Sequence, residues 1–303
     1  MFVVAVREGD IEGFRAKFVQ MGDLIIGIPL DIGPRILYLA HKDDPEVNLF
    51  GVIPEFSIDT PEGKWRIFGG HRLWTSPEAM PRSYSLDNRP IKVKVKDREV
   101  IIEGNPEPQN YVKKRIIIRP SNKGGGVEVV HEIENIGRWP ITFACWAISV
   151  MRRNGFAIIP IKAHSVDERG LLPDRVIALW PYTDLRDRRL IFSTNYIFVR
   201  QDPGIKRPLK IGVRAYPSWV AYWVDGYLFV KSIAPEEGVQ YPDFQSDVEV
   251  YTNDLFLELE TLGPLREVEP GEVNRHVEVW SVIKVGEIKP SEEDIKSIEE
   301  KFL

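Results

Sequence analysis

With a single cysteine, Cys145, among 303 residues, the chain forms no intrachain disulfide, and its stability has to come from packing and polar contacts. No run approaches the ~20 apolar residues that a membrane-spanning helix needs. The opening stretch Met1-Phe2-Val3-Val4-Ala5-Val6-Arg7-Glu8 lacks the basic-then-apolar layout of a secretory signal. These absences predict a cytoplasmic chain without a membrane partner. Basic excess is missing too: 40 Lys and Arg against 45 Asp and Glu leave a net charge of -5. Such a balance gives no global attraction to a polyanionic backbone, so nucleic acid is not an expected partner. Helical periodicity, internal repeats and low-complexity linkers are scarce, and no composition shift marks a boundary, so one domain over 1–303 is expected.

What the sequence does contain is 43% hydrophobic residues, enough for a sizeable core, and many Lys, Arg, Glu and Pro, a thermophile-like balance. Short runs of Val, Ile, Tyr, Phe and Trp recur between Gly, Pro, Asn and Asp, the punctuation of antiparallel strands. Residues 91–96 alternate Ile and Val with Lys, and Asp97-Arg98-Glu99 turns the chain into Val100-Ile101-Ile102-Glu103, which predicts a hairpin with one wet face. A second hairpin is expected where Lys114–Ile118 and Val127–Glu134 flank the glycine-rich 121–126 turn. Further strands are expected over 189–199, 210–216, 220–224, 227–233, 255–262 and 276–285. One helix closes the chain, with Ser291 as its cap and Asp294 completing a capping box. The predicted fold is all-β: a large antiparallel β-sandwich with a short C-terminal helix.

Two segments combine residues suited to chemistry. Phe68-Gly69-Gly70-His71-Arg72-Leu73-Trp74-Thr75-Ser76-Pro77-Glu78 places a His, an Arg and a Trp after a Gly-Gly turn. A pyranose has apolar C–H faces that stack on indole and hydroxyls that demand polar partners, so Trp74 with His71 and Arg72 suits a sugar. The bland alternative is that Trp74 fills the core and His71 caps a turn. In Leu257-Glu258-Leu259-Glu260-Thr261-Leu262, Glu258 and Glu260 share one face of a strand. Facing a cleft, mutual repulsion and burial would raise one pKa towards the range of a general base; facing water, they are ordinary glutamates.

The run Leu259-Glu260-Thr261-Leu262, then Pro270-Gly271-Glu272, His276 and Trp280, resembles the C-terminal signature of the galactose mutarotase (aldose 1-epimerase) superfamily. Glu132-Ile133-Glu134-Asn135-Ile136-Gly137 with Pro140, and Gly33-Pro34-Arg35-Ile36, resemble two earlier motifs of that superfamily. The Gly-Gly-His-Arg-Leu-Trp loop and Trp146 also look like an uncharacterised prokaryotic branch within it. The resemblance implies a sandwich fold and a carbohydrate or sugar-phosphate ligand, with no cofactor or metal. In mutarotases a glutamate takes the anomeric proton while a histidine protonates the ring oxygen. The glutamate maps onto Glu260. The histidine does not carry over, because 143–149 reads Phe-Ala-Cys-Trp-Ala-Ile-Ser, and His71 stands as the provisional acid.

The expected site is therefore Glu260 and His71 as catalytic pair, with Arg35, Arg72, Trp74, Trp146, Lys231 and Glu258 binding substrate. Lys231 is equally explained as an edge-strand lysine. His41, His131, His164 and His276 show no close metal-ligand spacing and are expected to be structural. The arginines of 184–189 suit either a sugar phosphate or a solvated ion-pair turn, and the aromatics of 216–223 suit either a stacking platform or the core. Three functions remain open: an epimerase, a binding module without turnover, and a lyase-like enzyme acting on acidic sugars, in a monomer or homodimer.

Overall fold

The computed structural model describes residues 5–122, 126–164 and 167–302. Alternating sequence becomes strand as expected: Lys92–Lys96 and Glu99–Glu107 pair through a turn in which Asp97 takes a φ of 52°. Val112–Pro120 pairs with Val127–Asn135, and part of the glycine-rich turn between them, residues 123–125, lies outside the described residues. Trp219–Val224 and Tyr227–Ile233 close through Asp225 and Gly226, both at positive φ (50° and 81°), the conformations that a two-residue hairpin turn favours. The stretch 189–199 resolves into two strands, Leu190–Phe192 and Tyr196–Arg200, which pair antiparallel.

Two large sheets carry the architecture, a ten-stranded one and an eight-stranded one. At the centre of the first, Tyr227–Ile233, Val273–Lys284 and Val127–Asn135 lie side by side. At the centre of the second, Val248–Thr252, Leu257–Leu262, Ile141–Met151 and His71–Ser76 run antiparallel in that spatial order. The two sheets share one apolar core in which Leu73, Cys145, Leu257 and Leu259 of the smaller join Ile116, Val129, Phe229 and Trp280 of the larger. A four-stranded sheet formed by Ala5–Ile11, Phe14–Met21, Leu24–Pro29 and Tyr38–His41 stands apart from both in its hydrogen bonding.

The C-terminal helix Glu292–Phe302 begins where the capping residue predicted it, with the Asp294 amide donating to Ser291 Oγ at 3.4 Å. Its Ile295 and Ile298 pack on Phe156, Phe198, Trp219 and Val230 of the ten-stranded sheet. This cluster takes Trp219 and Trp223 of the aromatic segment 216–223, the Trp223 indole donating to the Gly286 carbonyl, while Tyr222 is buried in the core between the sheets and Tyr216 is exposed. Trp219, Tyr222 and Trp223 are thus packing residues.

A separate hairpin, Val52–Thr60 with Gly63–Gly69, leads into His71–Ser76 through Gly69 and Gly70. A Cβ on Gly70 would sit 2.1 Å from the Ile36 carbonyl oxygen, and one on Gly69 2.0 Å from that of Gly51, so the crossing admits only glycine. The sharp turn places the hairpin beside the outer face of the eight-stranded sheet.

Candidate functional site

Register decides which side chains share a face of the eight-stranded sheet. Arg72 pairs with Ile148, Ile148 with Glu260, and Glu260 with Glu249, so these four point the same way. Trp74, Trp146 and Glu258 follow the same parity. His71 pairs with Ser149 and Ser149 with Leu259, and this row points the other way, into the core.

On the outer face lies a cavity of about 320 Å³. Its walls are strongly aromatic: Trp65, Trp74, Tyr84, Trp146, Trp180, Tyr182, Tyr251 and Phe256, with Phe56, Ile58 and Ile67 of the hairpin. Among these stand four charged residues, Arg72, Lys210, Glu78 and Glu258. The Arg72 guanidinium lies 4.4 Å from the Trp74 ring centroid and donates through Nη2 to Glu258 Oε1 at 2.8 Å. Its Nε and Nη1 are buried without a partner. Lys210 Nζ lies between Trp146 and Trp180, 4.4 and 4.7 Å from their centroids. A wider hollow of about 890 Å³, lined by His41, Val277 and Val279 among others, offers no indole or phenol ring.

Glu260 lies beneath this cavity and has no exposed surface. Its Oε2 accepts from the Trp146 indole at 2.7 Å and from Lys210 Nζ at 3.0 Å, and Lys210 also pairs with Glu249 at 2.7 Å. Burial pushes the Glu260 carboxyl up against the pull of Lys210, and the neighbouring charge of Glu258 adds to the rise. Burial likewise raises Glu249 well above the usual carboxylate range. Burial works against Lys210, yet its two carboxylates hold its ammonium well above the ordinary lysine value. The raised carboxyl expected on this strand is therefore present, but Trp146 and Lys210 form the surface that a ligand meets.

No family model and no curated protein matches the chain. Among solved structures, a TPR-domain-containing protein from Parabacteroides distasonis superposes over 92% of the chain with a TM-score of 0.58 at 13% identity. The chain spans 50% of that protein's length. A galactose mutarotase-like protein from Lactobacillus casei superposes over 92% of this chain and 100% of its own, with a TM-score of 0.50 at 9% identity. The fold is galactose mutarotase-like.

Within the galactose mutarotase-like fold, the signature residues have specific structural work. Asn135 donates to the Trp139 and Val268 carbonyls and accepts from the Gly137 amide, which explains the Asn-x-Gly pattern as a turn lock. Thr261 and His276 bond to each other across the core at 2.6 Å. Ile141–Met151 presents Trp146 and Ile148 to the cavity, and no histidine lines it among the described residues.

The structure does not bring His71 to Glu260. Odd and even positions of one strand face opposite sides, and residue 72, not 71, shares the side of residue 260. His71 lies in a buried polar network between the sheets: its Nδ1 meets Ser149 Oγ at 2.9 Å and its Nε2 meets His131 Nε2 at 2.7 Å. Lys231 belongs to the same network, not to the cleft, and its strand is flanked on both sides rather than at an edge. Its Nζ lies 2.9 Å from Glu278 Oε1 and donates to the Leu259 and Ala147 carbonyls. Arg35 is also structural: Asp87 and the carbonyls of Ile67 and Gly69 occupy its guanidinium. The arginines of 184–189 form ion pairs with Asp184, Asp187 and Asp202, the solvated-turn alternative, with Arg189 and Asp187 buried.

The ligand atoms of His71, His131 and Glu278 lie within 4.8 Å of one another, close enough to raise the question of a metal. Hydrogen bonding gives these atoms another account. His131 Nδ1 donates to the His276 carbonyl, which leaves Nε2 to accept from His71 Nε2, while Ser149 donates to His71 Nδ1. Lys231 already balances Glu278, and a divalent ion would add uncompensated charge to a dry site. Burial holds His71 well below the usual imidazole range, lowers His131, and brings His276 to about 3. Each ring is then neutral in the folded chain and protonated in the unfolded one below about pH 6.5, so its share of stability is complete above that pH and is lost as pH falls. Imidazole NMR shifts of all three should stay at neutral-ring values from pH 7.5 to 5.5; a titration midpoint near 6.5 for His71 would contradict this.

The sequence reading missed Lys210, Glu249, Trp65, Trp180 and Tyr251. Lys210 and Glu249 each interrupt an apolar strand, Leu209–Val213 and Val248–Thr252. That intrusion was the available signal.

Proposed function

We propose that the chain binds a carbohydrate in the aromatic cavity on the outer face of the eight-stranded sheet. The observation that carries this reading is the combination of aromatic walls with polar groups, Arg72, Lys210, Glu78 and Glu258, above all Arg72, whose Nε and Nη1 lack a partner. Aromatic faces take the apolar side of a pyranose, and the guanidinium, Lys210 and the carboxylates take hydroxyls. The core shared by both large sheets supports treating 1–303 as one unit. Calorimetric titration with a panel of aldoses, uronic acids and short oligosaccharides tests it, and no heat with any of them ends the proposal. Trp180→Ala removes one wall and is expected to weaken binding by about 1–2 kcal/mol, roughly 5- to 30-fold.

A binding role is favoured over ring opening, because Glu260 is covered and no imidazole faces the cavity among the described residues. One feature keeps the epimerase reading in play: Glu260 has a raised carboxyl whose Oε1 lacks a partner, a proton acceptor that opens if Trp146 shifts. Exchange NMR on anomers of each bound sugar decides between them. Turnover that disappears in Glu260→Gln makes the chain an isomerase, and binding without turnover makes it a module.

A further inference from the structure

Nearly half of the large apolar side chains that stay exposed among the described residues fall in one stretch, 171–192. That stretch holds an edge strand of each large sheet, Ile177–Leu179 of the eight-stranded and Leu190–Phe192 of the ten-stranded. Both edges lie on the same flank, because Val248–Thr252 of one sheet faces Tyr196–Arg200 of the other and the edges follow beyond them. Register shows where their side chains point. Ile177 pairs with Val213, Leu179 with Ile211 and Phe192 with Ile197, and all three partners are buried in the core between the sheets. Ile177, Leu179 and Phe192 are therefore core-facing, yet they remain 37%, 47% and 45% exposed, so the sandwich is open along this flank. The far edge of the ten-stranded sheet, Lys92–Lys96, is guarded: its two valines alternate with three exposed lysines, which discourage pairing with another strand. Neither Ile177–Leu179 nor Leu190–Phe192 contains a charge or a proline.

We propose that a second copy of the chain docks on this flank, edge to edge across a twofold axis. Charge narrows the partner first. The four arginines from 175 to 189 each already face an aspartate, so the flank holds no unmatched arginine for a nucleic acid or an acidic peptide. What it offers is an uncharged apolar strand edge, and the surface that matches it is another of the same kind. The chain supplies one itself. An edge strand pairs antiparallel with its own twofold copy, so a single patch serves both subunits. The extent agrees as well. At about 200 Å² for a fully exposed side chain of this size, the seven exposed apolar residues of 171–192 other than the cavity residue Tyr182 amount to roughly 700 Å², close to the ~800 Å² that each partner of a stable interface buries. The contact borders the cavity, since Trp180 of the cavity wall follows Leu179 directly.

Sedimentation equilibrium of the wild-type chain tests this, and a species of twice the 34.8 kDa chain mass is the expected result. Ile177→Lys and Leu179→Lys, which give this edge the guard of the far one, should each abolish the dimer. Val95→Lys is the matched control, a core-facing residue of the guarded edge with 38% exposure, and should leave the dimer intact. Melting curves check that each variant folds. Should the lysine variants fail to fold, amide exchange of the wild type decides, and residues 177–179 should exchange several-fold more slowly in concentrated than in dilute solution. A wild-type mass of one copy, or of more than two, overturns the proposal. So does a dimer that survives both lysine variants or is lost equally in Val95→Lys, and so do exchange rates at 177–179 that ignore concentration.

Discussion

Lys231→Met is expected to destabilise the chain by about 3–5 kcal/mol, because it strands the buried Glu278 carboxylate without its cation. Lys231 and Glu278 have no exposed surface, and their 2.9 Å contact joins neighbouring strands of the ten-stranded sheet. Burial alone would raise Glu278; the Lys231 ammonium reverses this and holds the carboxyl well below its usual range. Without Lys231, Thr261 and the Trp280 indole remain as its hydrogen-bond donors. Glu278→Gln in the Lys231→Met background removes the orphaned charge and should recover part of the loss. Denaturant unfolding of the two single variants and the double variant measures it. A single-variant loss below about 1 kcal/mol would mean that water reaches the network.

Lys210→Met has an effect of similar size with a distinctive pH dependence. Lys210 stands between Glu249 and Glu260, both fully buried, and its removal leaves two carboxyls in a site that already raises them. In the unfolded chain each ionises near pH 4.5, while in the folded variant each resists ionisation. The folded state then holds protons that the unfolded state releases. The wild-type carboxyls are themselves raised, so the variant's added penalty is small near pH 4.5 and grows only as pH passes their wild-type folded values, by up to about 1.4 kcal/mol per pH unit for each carboxyl kept protonated. Melting curves of wild type and variant from pH 4.5 to 8.5 should diverge. Glu249→Gln with Glu260→Gln should flatten the divergence, and parallel curves would show that Lys210 does not govern these two groups.

Much of the fold could be read in the sequence, because half-buried strands print their own period. The Lys-Val-Lys-Val run of 92–95 and the capping Ser291 each specify local structure without help from distant residues. The site was less legible. His71 and Arg72 are adjacent in sequence, and proximity suggested a shared role; the pleat sends them to opposite faces, which only the register with Ile141–Met151 reveals. Glu260 was found through the family motif, yet its cover by Trp146 and Lys210 comes from two strands distant in sequence. Lys231 and Lys210 pose the same sequence signal, a lysine in an apolar strand. One points between the sheets and the other to the cavity, a difference set by the sheet each strand joins and the register in which it pairs.

Trp65, Trp74, Trp146 and Trp180, half of the eight tryptophans in the chain, surround a single cavity. Their emission is therefore concentrated where a guest would enter, and two of them have a lysine ammonium against the ring, a charge whose displacement shifts indole fluorescence. The protein carries its own optical reporter of occupancy, so that a library of unlabelled saccharides can be screened by intrinsic light alone.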